Sequence, residues 1–362
     1  MGFLLIKIKN KFLIYFRNFL LNTFTERKIP YSAQIEITLR CNANCRFCCI
    51  PMIPEELKQK EMTTNQIKYI IDQVAEFGIV SLSFTGGEPT LREDLPELIK
   101  YAGINKNLIT GLATNGYHLP NLLKNNLLKG LHYILLSLDF PFAKQHDKIR
   151  GISVFDKVLE SIKLANKKNI KVIISTNVMR SNIKLLPNIC NLAENFNCAI
   201  EMYPCENIIR TYNGNKFQAE NVNELIPNLH LWASFITFLQ KKYKNVITDK
   251  YSIKIIEGGG FGGDPKKQDI MRCHVAEAYL FVRHDGTISF PCKIHPIINF
   301  NALTNSLESI FNSKEVKMIM NRHDGFKFCE GCRLGCAISS SLTAKWPTIF
   351  EKYIRNFLRG NL

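Results

Sequence analysis

No stretch of this chain carries the roughly 20 consecutive apolar residues that a membrane-spanning helix needs. The run from Phe3 to Phe24 comes nearest, but Lys7, Lys9, Lys11 and Arg17 interrupt it. That run also lacks the basic, then apolar, then small-residue order of a signal peptide. Acidic side chains are in short supply: 31 Asp and Glu stand against 47 Lys and Arg, a formal charge of +16. Such an excess favours an anionic partner, yet the charge is scattered rather than blocked, as on a solvated lysine-rich surface. There is no internal repeat, and no separate RNA-binding module, so no nucleic-acid partner is expected. The glycines Gly258 to Gly260, with Gly262 and Gly263, lack the Gly-Lys-Ser/Thr ending of a phosphate loop and read as a flexible loop.

What remains is ordinary globular usage, 46% hydrophobic and 22% charged over 362 residues. That excludes a disordered or fibrous protein and suffices for one large α/β barrel domain with or without a small appendage. Cysteine is the exception, with twelve residues. A secreted disulfide scaffold would be shorter and denser in cysteine. Here Cys41, Cys45, Cys48 and Cys49 form one tight group and Cys329, Cys332 and Cys336 another. Tight groups point to metal ligation in a reducing compartment, so a cytoplasmic location is expected.

The hydrophobic pattern alternates strand and helix from about residue 33. Ala33–Thr38, Val80–Phe84, Leu108–Ala113, His132–Leu138, Ile170–Thr176 and Ala199–Tyr203 read as strands. Thr63–Phe77, Leu95–Tyr101, Leu119–Leu128, Val154–Lys167 and Ile183–Asn195 read as helices, with Thr63 or Thr64 as the first N-cap. Repeated strand–helix units give a parallel sheet with right-handed crossovers. Six units are too few for a closed eight-stranded barrel, so the expected fold is α/β, a partial (β/α)6 TIM-type barrel. Further on, Leu225–Tyr243 reads as one long helix and Ala278–Phe290 as a hairpin turning at His284-Asp285-Gly286. A helix near Leu307–Met320 and a final basic helix follow the same reading.

The chemistry-bearing residues fall at strand ends. Cys41, Cys45 and Cys48, spaced C-x3-C-x2-C, follow the first strand. Three thiolates within eight residues can wrap one corner of a cube-shaped cluster and leave a fourth iron open, whereas zinc usually takes four ligands in paired spacing. Thr85-Gly86-Gly87-Glu88-Pro89 follows the second strand. Its glycines permit close backbone approach, and a carboxylate can pair with an ammonium. Asn115, Ser137, Asp139 and Asn177 end the next three strands, and a His146-Asp147-Lys148-Ile149-Arg150-Gly151 segment follows. Each is otherwise a strand-end polar cap or helix N-cap.

These residues together resemble the radical S-adenosylmethionine (SAM) superfamily, closely over about residues 33–205. The resemblance implies an oxidoreductase-type reaction. A 4Fe–4S cluster on Cys41, Cys45 and Cys48 chelates SAM, one electron breaks the sulfonium bond, and the 5′-deoxyadenosyl radical takes a hydrogen from substrate. It implies Phe47, Gly86, Gly87, Glu88, Pro89, Asn115, Ser137, Asp139, Arg150 and Asn177 as the SAM-binding set, with Arg150 toward the SAM carboxylate. Met202 is either an adenine contact or core. The electron would come from a ferredoxin- or flavodoxin-type donor.

Asp285 to Cys292, with Cys273, Cys329, Cys332 and Cys336, is similar to a SPASM extension, which carries auxiliary iron–sulfur clusters in peptide-modifying members. A complete one has seven or more cysteines; five are present here, so one auxiliary 4Fe–4S cluster on four of them is the economical reading, with structural zinc the alternative. Cys49, Cys190 and Cys198 read as inert, Cys205 faces the expected substrate side, and His118, His274 and His295 are unassigned. The domain reading is 1–30 basic amphipathic helix, 31–205 core, 206–268 connection, 269–340 Cys-rich α+β extension and 341–362 terminal helix. On the first of these, Leu5, Phe12, Phe16, Phe19 and Leu20 share one side and Lys7, Lys11, Asn18 and Asn22 the other, which suits either a membrane interface or docking on the barrel. The SPASM-like tail suggests a peptide substrate and the N-terminus a lipid. An iron–sulfur carrier or scaffold that never cleaves SAM is the competing class.

Overall fold

The computed structural model describes residues 14–212, 214–261, 273–322 and 326–343. Six strands, β1 (Ser32–Thr38), β2 (Ser81–Gly86), β3 (Ile109–Thr114), β4 (Tyr133–Ser137), β5 (Lys171–Val178) and β6 (Ala199–Pro204), pair in sequence order. Every one of these pairings is parallel. The strands are rich in Ile, Leu and Val because helices cover one face: Ile35, Ile37, Leu82, Phe84, Leu112, Ile134 and Ile174 are fully buried in the main core. The opposite face of β1 carries Gln34, Glu36 and Thr38, as period-two alternation requires.

The helix Thr64–Phe77 shows how the crossovers are written. Thr63 Oγ accepts from the Gln66 N–H at 3.3 Å, and Gln66 Oε1 accepts from the Thr63 N–H at 2.8 Å. This capping box satisfies two orphan donors and contributes about 1 kcal/mol. Ile67, Ile70, Ile71, Val74 and Phe77 form the buried stripe, and Gly78, in the left-handed region at φ 97°, ends the helix.

The expected six-strand run is present, and the sheet is open: among the described residues its edge strands do not pair with each other. The Cys-rich extension continues this same sheet. β9 (Tyr279–Val282) lies parallel to β1 on its free edge, and β10 (Thr287–Pro291) and β11 (Pro296–Asn301) add antiparallel. Between them in the chain, β7 (Arg210–Tyr212) and β8 (Asn215–Phe217) make a separate hairpin. The hairpin at residues 284–286 pairs at only one position, Ile288 with Val282, because β10 turns to β11.

Several boundaries differ from expectation. The helix expected near Leu307–Met320 is two, Leu307–Asn312 and Lys314–Met320, broken where Ser313 leaves helical geometry and caps the second through the Val316 N–H. Leu225–Tyr243 shortens to Leu229–Lys242 because Asn228 caps it. Helices Ala143–Arg150 and Lys250–Glu257 were not expected; the second, capped by Asp249, ends in the glycine cluster at Gly258. The terminal basic helix lies outside the described residues, as does the chain before Ile14. No helix among the described residues is long and apolar enough to cross a membrane.

Candidate active site

The loop after β1 is held from two sides. On one, the end of β2 passes against it: the Gly87 N–H donates to Thr38 O and the Glu88 N–H to Arg40 O, both at 2.8 Å. A Cβ on Gly87 would lie 2.2 Å from Arg40 O, so only glycine permits this approach. On the other side, the Asn44 and Arg46 N–H groups each donate at 3.1 Å, to Arg150 O and Ile149 O. Gly151, at φ 65°, ends that helix, and a Cβ there would meet Asn44 O at 2.7 Å. The His146 to Gly151 segment thus clamps the cysteine loop through its backbone.

Cys41, Cys45 and Cys48 are half-buried, unpaired thiols. Burial pushes the Cys41 thiol up to about 11 and the Cys45 thiol up to about 12. Such thiols deprotonate at neutral pH only when a metal takes the thiolate, so loading would release protons. Cys49, next in the chain, is buried and points into a separate apolar cluster around Leu39 and Ile50.

Glu88 is 1% exposed and its carboxylate is fully engaged. Oε1 accepts from the Thr90 N–H (3.1 Å), the Thr90 hydroxyl (2.6 Å) and the Thr114 hydroxyl (2.6 Å). Oε2 accepts from the Asn115 N–H at 2.7 Å. This differs from a carboxylate held ready for a ligand ammonium: its lone pairs are already taken, and Glu88 locks the ends of β2 and β3 together. Asn115 in turn donates through Nδ2 to Asn42 Oδ1 at 2.8 Å. Asn42 lies between Cys41 and Cys45, and its own Nδ2 is buried without a partner. That orphan donor, among three thiols and two glycines, fits a cofactor rich in acceptors. The sequence reading missed Asn42; its place inside the cysteine motif was the available signal.

Asp139 and Arg150 form a second linked pair. Arg150 Nε donates to Asp139 Oδ2 at 2.7 Å, Asp139 is 0% exposed, and Asp139 Oδ1 accepts from the Asn177 N–H at 2.9 Å. The Arg150 guanidinium lies 5.1 Å from the centroid of the Phe47 ring. Pro89 opens a short turn behind Glu88. Ser137 pairs with Ser175 in register, but among the described residues no hydrogen bond ties its side chain to this network. Met202 is fully buried in the main core, which favours the core reading. Cys205 is also buried and hydrogen-bonded to Asn177.

Beside the loop, Arg40 grips Glu61 with two bonds, 3.0 and 3.1 Å, and Arg210 from β7 pairs with Glu36 on β1. Burial alone would raise the Glu36 carboxyl, but Arg210 outweighs it and holds it below the ordinary range. Neither pair was anticipated, because their partners lie 21 and 174 residues apart.

Cys273, Cys292, Cys329, Cys332 and Cys336 all line one cavity of about 540 Å³. The Phe261 N–H donates to Cys332 O at 3.0 Å, and the Gly331 N–H to Phe261 O at 2.8 Å, which fixes the Cys329 to Cys332 turn. Burial pushes the Cys273 and Cys332 thiols up to about 12 and the Cys329 thiol up to about 11. Among the described residues no three His, Cys, Asp or Glu side chains close on a single ion-sized point. Five thiols around a space of that size fit an iron–sulfur cluster.

A family model described as the radical SAM superfamily matches residues 35–189, and one described as an iron–sulfur cluster-binding domain, SPASM, matches residues 273–336. The chain is 34% identical over 160 residues to the Fe-coproporphyrin III synthase of Methanosarcina barkeri, covering 44% of this chain and 39% of that protein. It is 26% identical over 277 residues to the PqqA peptide cyclase of Xanthomonas euvesicatoria, covering 71% of each. The first of these matches thus spans less than half of its relative. Among solved structures, Streptococcus suis SuiB bound to precursor peptide SuiA superposes with a TM-score of 0.61 at 16% identity, over 81% of this chain and 67% of that one. The enzyme anSMEcpe with bound AdoMet gives 0.56 at 17%, over 92% and 99%. At these identities the likeness is one of fold.

Proposed function

The chain belongs to the radical SAM superfamily and carries a SPASM domain, and on that premise we propose that it cleaves SAM reductively and abstracts hydrogen from a peptide. When bound, a 4Fe–4S cluster and SAM supply the chemistry: one electron splits a sulfonium C–S bond into methionine and a 5′-deoxyadenosyl radical, which takes the hydrogen atom. Cys41, Cys45 and Cys48 are the ligands in this proposal. The Gly86-Gly87 backbone and Asn42 receive SAM, and Glu88 is a positioning residue that fixes Asn115. Asp139 and Asn177 hold Arg150 toward the SAM carboxylate, with Phe47, Pro89 and Ser137 walling the site. Cys273, Cys292, Cys329, Cys332 and Cys336 offer the ligands of one auxiliary cluster. A ferredoxin- or flavodoxin-type protein supplies electrons, in a reducing cytoplasm.

The observation that carries the reading is the clamp on the cysteine loop. Gly87 and Glu88 grip it from β2, Arg150 and Gly151 from the opposite side, and Asn42 with Asn115 bridges across. A mere electron carrier needs no such convergence of strand ends. The peptide class is supported by two similar proteins, a peptide cyclase and one bound to a precursor peptide.

The test is anaerobic reconstitution followed by iron counting and deoxyadenosine quantification with SAM and dithionite. About eight irons and measurable cleavage are expected, with cleavage and half the iron lost in a Cys41/Cys45/Cys48→Ala variant. A full cluster without cleavage would leave the carrier reading standing. For the substrate, deuterium transfer into deoxyadenosine is expected from a deuterated peptide library. Transfer only from isoprenoid lipids would replace the peptide.

A further inference from the structure

The helix over residues 14–24 docks with its polar side inward. Asn18 is completely buried and its Nδ2 donates to Gly78 O at 2.8 Å. One turn on, Asn22 both donates to Ile29 O at 2.9 Å and accepts from the Ile29 N–H at 2.7 Å. Tyr15 packs its ring 4.8 Å from that of Tyr31 on the same side. Asparagines four apart lie on one stripe, so these bonds set the helix's rotation about its axis.

That rotation turns an apolar stripe outward. Phe16, Leu20 and Phe24, also four apart, are 37%, 39% and 78% exposed. A helix docked for its hydrophobic contribution would do the reverse. The sequence around the stripe is cationic: residues 1–25 hold Lys7, Lys9, Lys11 and Arg17 and no acid. The chain before Ile14 adds Leu4, Leu5, Ile6 and Phe12 to the apolar content. An exposed Phe/Leu stripe within an all-cationic segment matches a surface that is apolar beneath and anionic at its headgroups.

We propose that this face seats the protein on an anionic lipid bilayer, with the helix lying in the interface and the body held above it by Asn18 and Asn22. The inference is independent of the activity proposed above. Full-chain protein is floated with vesicles of phosphatidylglycerol and phosphatidylcholine in equal parts, and with phosphatidylcholine alone. Binding to the anionic vesicles only is expected, weakened by high salt because screening removes the headgroup attraction. A Phe16→Ser/Leu20→Ser/Phe24→Ser variant should bind about tenfold less or worse, with its thermal midpoint unchanged, since it alters exposed side chains. Phe24→Ser alone, at the most exposed position, should lose part of the binding. Absence of flotation with anionic vesicles overturns the proposal, as does binding the triple variant keeps. If light scattering instead shows a dimer that the triple variant splits, and vesicles capture neither, the face belongs to a second copy and the lipid assignment falls.

Discussion

Glu88 shows how a motif residue can act through its neighbours. Its four accepted bonds tie Thr90, Thr114 and Asn115 into one rigid corner. Glu88→Gln places an NH₂ donor where only acceptors fit, and bonds to a buried charge are worth about 1.5–3 kcal/mol. SAM affinity should fall by about 10–100-fold with iron content unchanged, read by isothermal titration beside iron analysis. Unchanged affinity would assign Glu88 to the fold alone. His146 makes a separate prediction. It is fully buried, Nδ1 accepts from the Asp139 N–H at 3.2 Å, and burial pulls its pKa down to about 4. The folded chain therefore stays unprotonated there while the unfolded chain binds a proton below about pH 6.5. Stability linked to His146 is full above that value and drains as the pH falls to about 4, by roughly 3 kcal/mol in total. Denaturant midpoints at neutral and mildly acidic pH should diverge in the native protein and much less in His146→Gln. Equal pH slopes in the two would place the titration elsewhere.

Single elements carry the next set of constraints. The β2 end can meet the cysteine loop only because Gly87 has no side chain; a Cβ would sit 2.2 Å from a backbone oxygen. Gly87→Ala must push the two segments apart, so SAM cleavage should drop by about 10²-fold or more while the folded core persists. Circular dichroism and deoxyadenosine formation together check this, and a variant with normal cleavage would show that the close approach is dispensable. Thr63 is the contrasting case, with a role confined to its helix. Thr63→Ala removes a capping-box acceptor far from the chemistry and should cost about 1 kcal/mol in thermal or chemical denaturation, with SAM cleavage intact. The long crossover helices were legible because their apolar spacing and caps are local. The helix Ala143–Arg150 escaped notice because it is mostly polar, and only His146, Ile149 and Arg150 face inward.

Across the whole molecule, the extension is welded to the core at both ends of its chain segment. β9 adds to β1, and Arg333, between Cys332 and Cys336, grips Glu206 beyond β6 with bonds of 2.8 and 3.0 Å. Burial raises the Glu206 carboxyl even with Arg333 beside it, so removing the cation strands an acid in a poor environment. Arg333→Ala should weaken docking by about 1–3 kcal/mol, seen as faster amide exchange over residues 326–343 with the barrel core unchanged. Unchanged exchange there would mean the cysteine turn is held by its backbone bonds to Phe261 alone.

The sequence by itself determined the parallel α/β core, the order of its six strands and the three clustered thiols, because apolar periodicity, caps and cysteine spacing are all local signals. It also marked Gly86-Gly87 as a place of close approach. Only the tertiary structure decided what each of these meets. It showed Glu88 already saturated, Asn42 left with an orphan donor, Glu36 matched to an arginine 174 residues away, and the Cys-rich segment continuing the core sheet. It also turned Asn18 inward and Phe24 outward on a helix whose pattern allowed either. Those outcomes depend on which surfaces come together, and partners brought close only by folding leave no periodic trace in the chain.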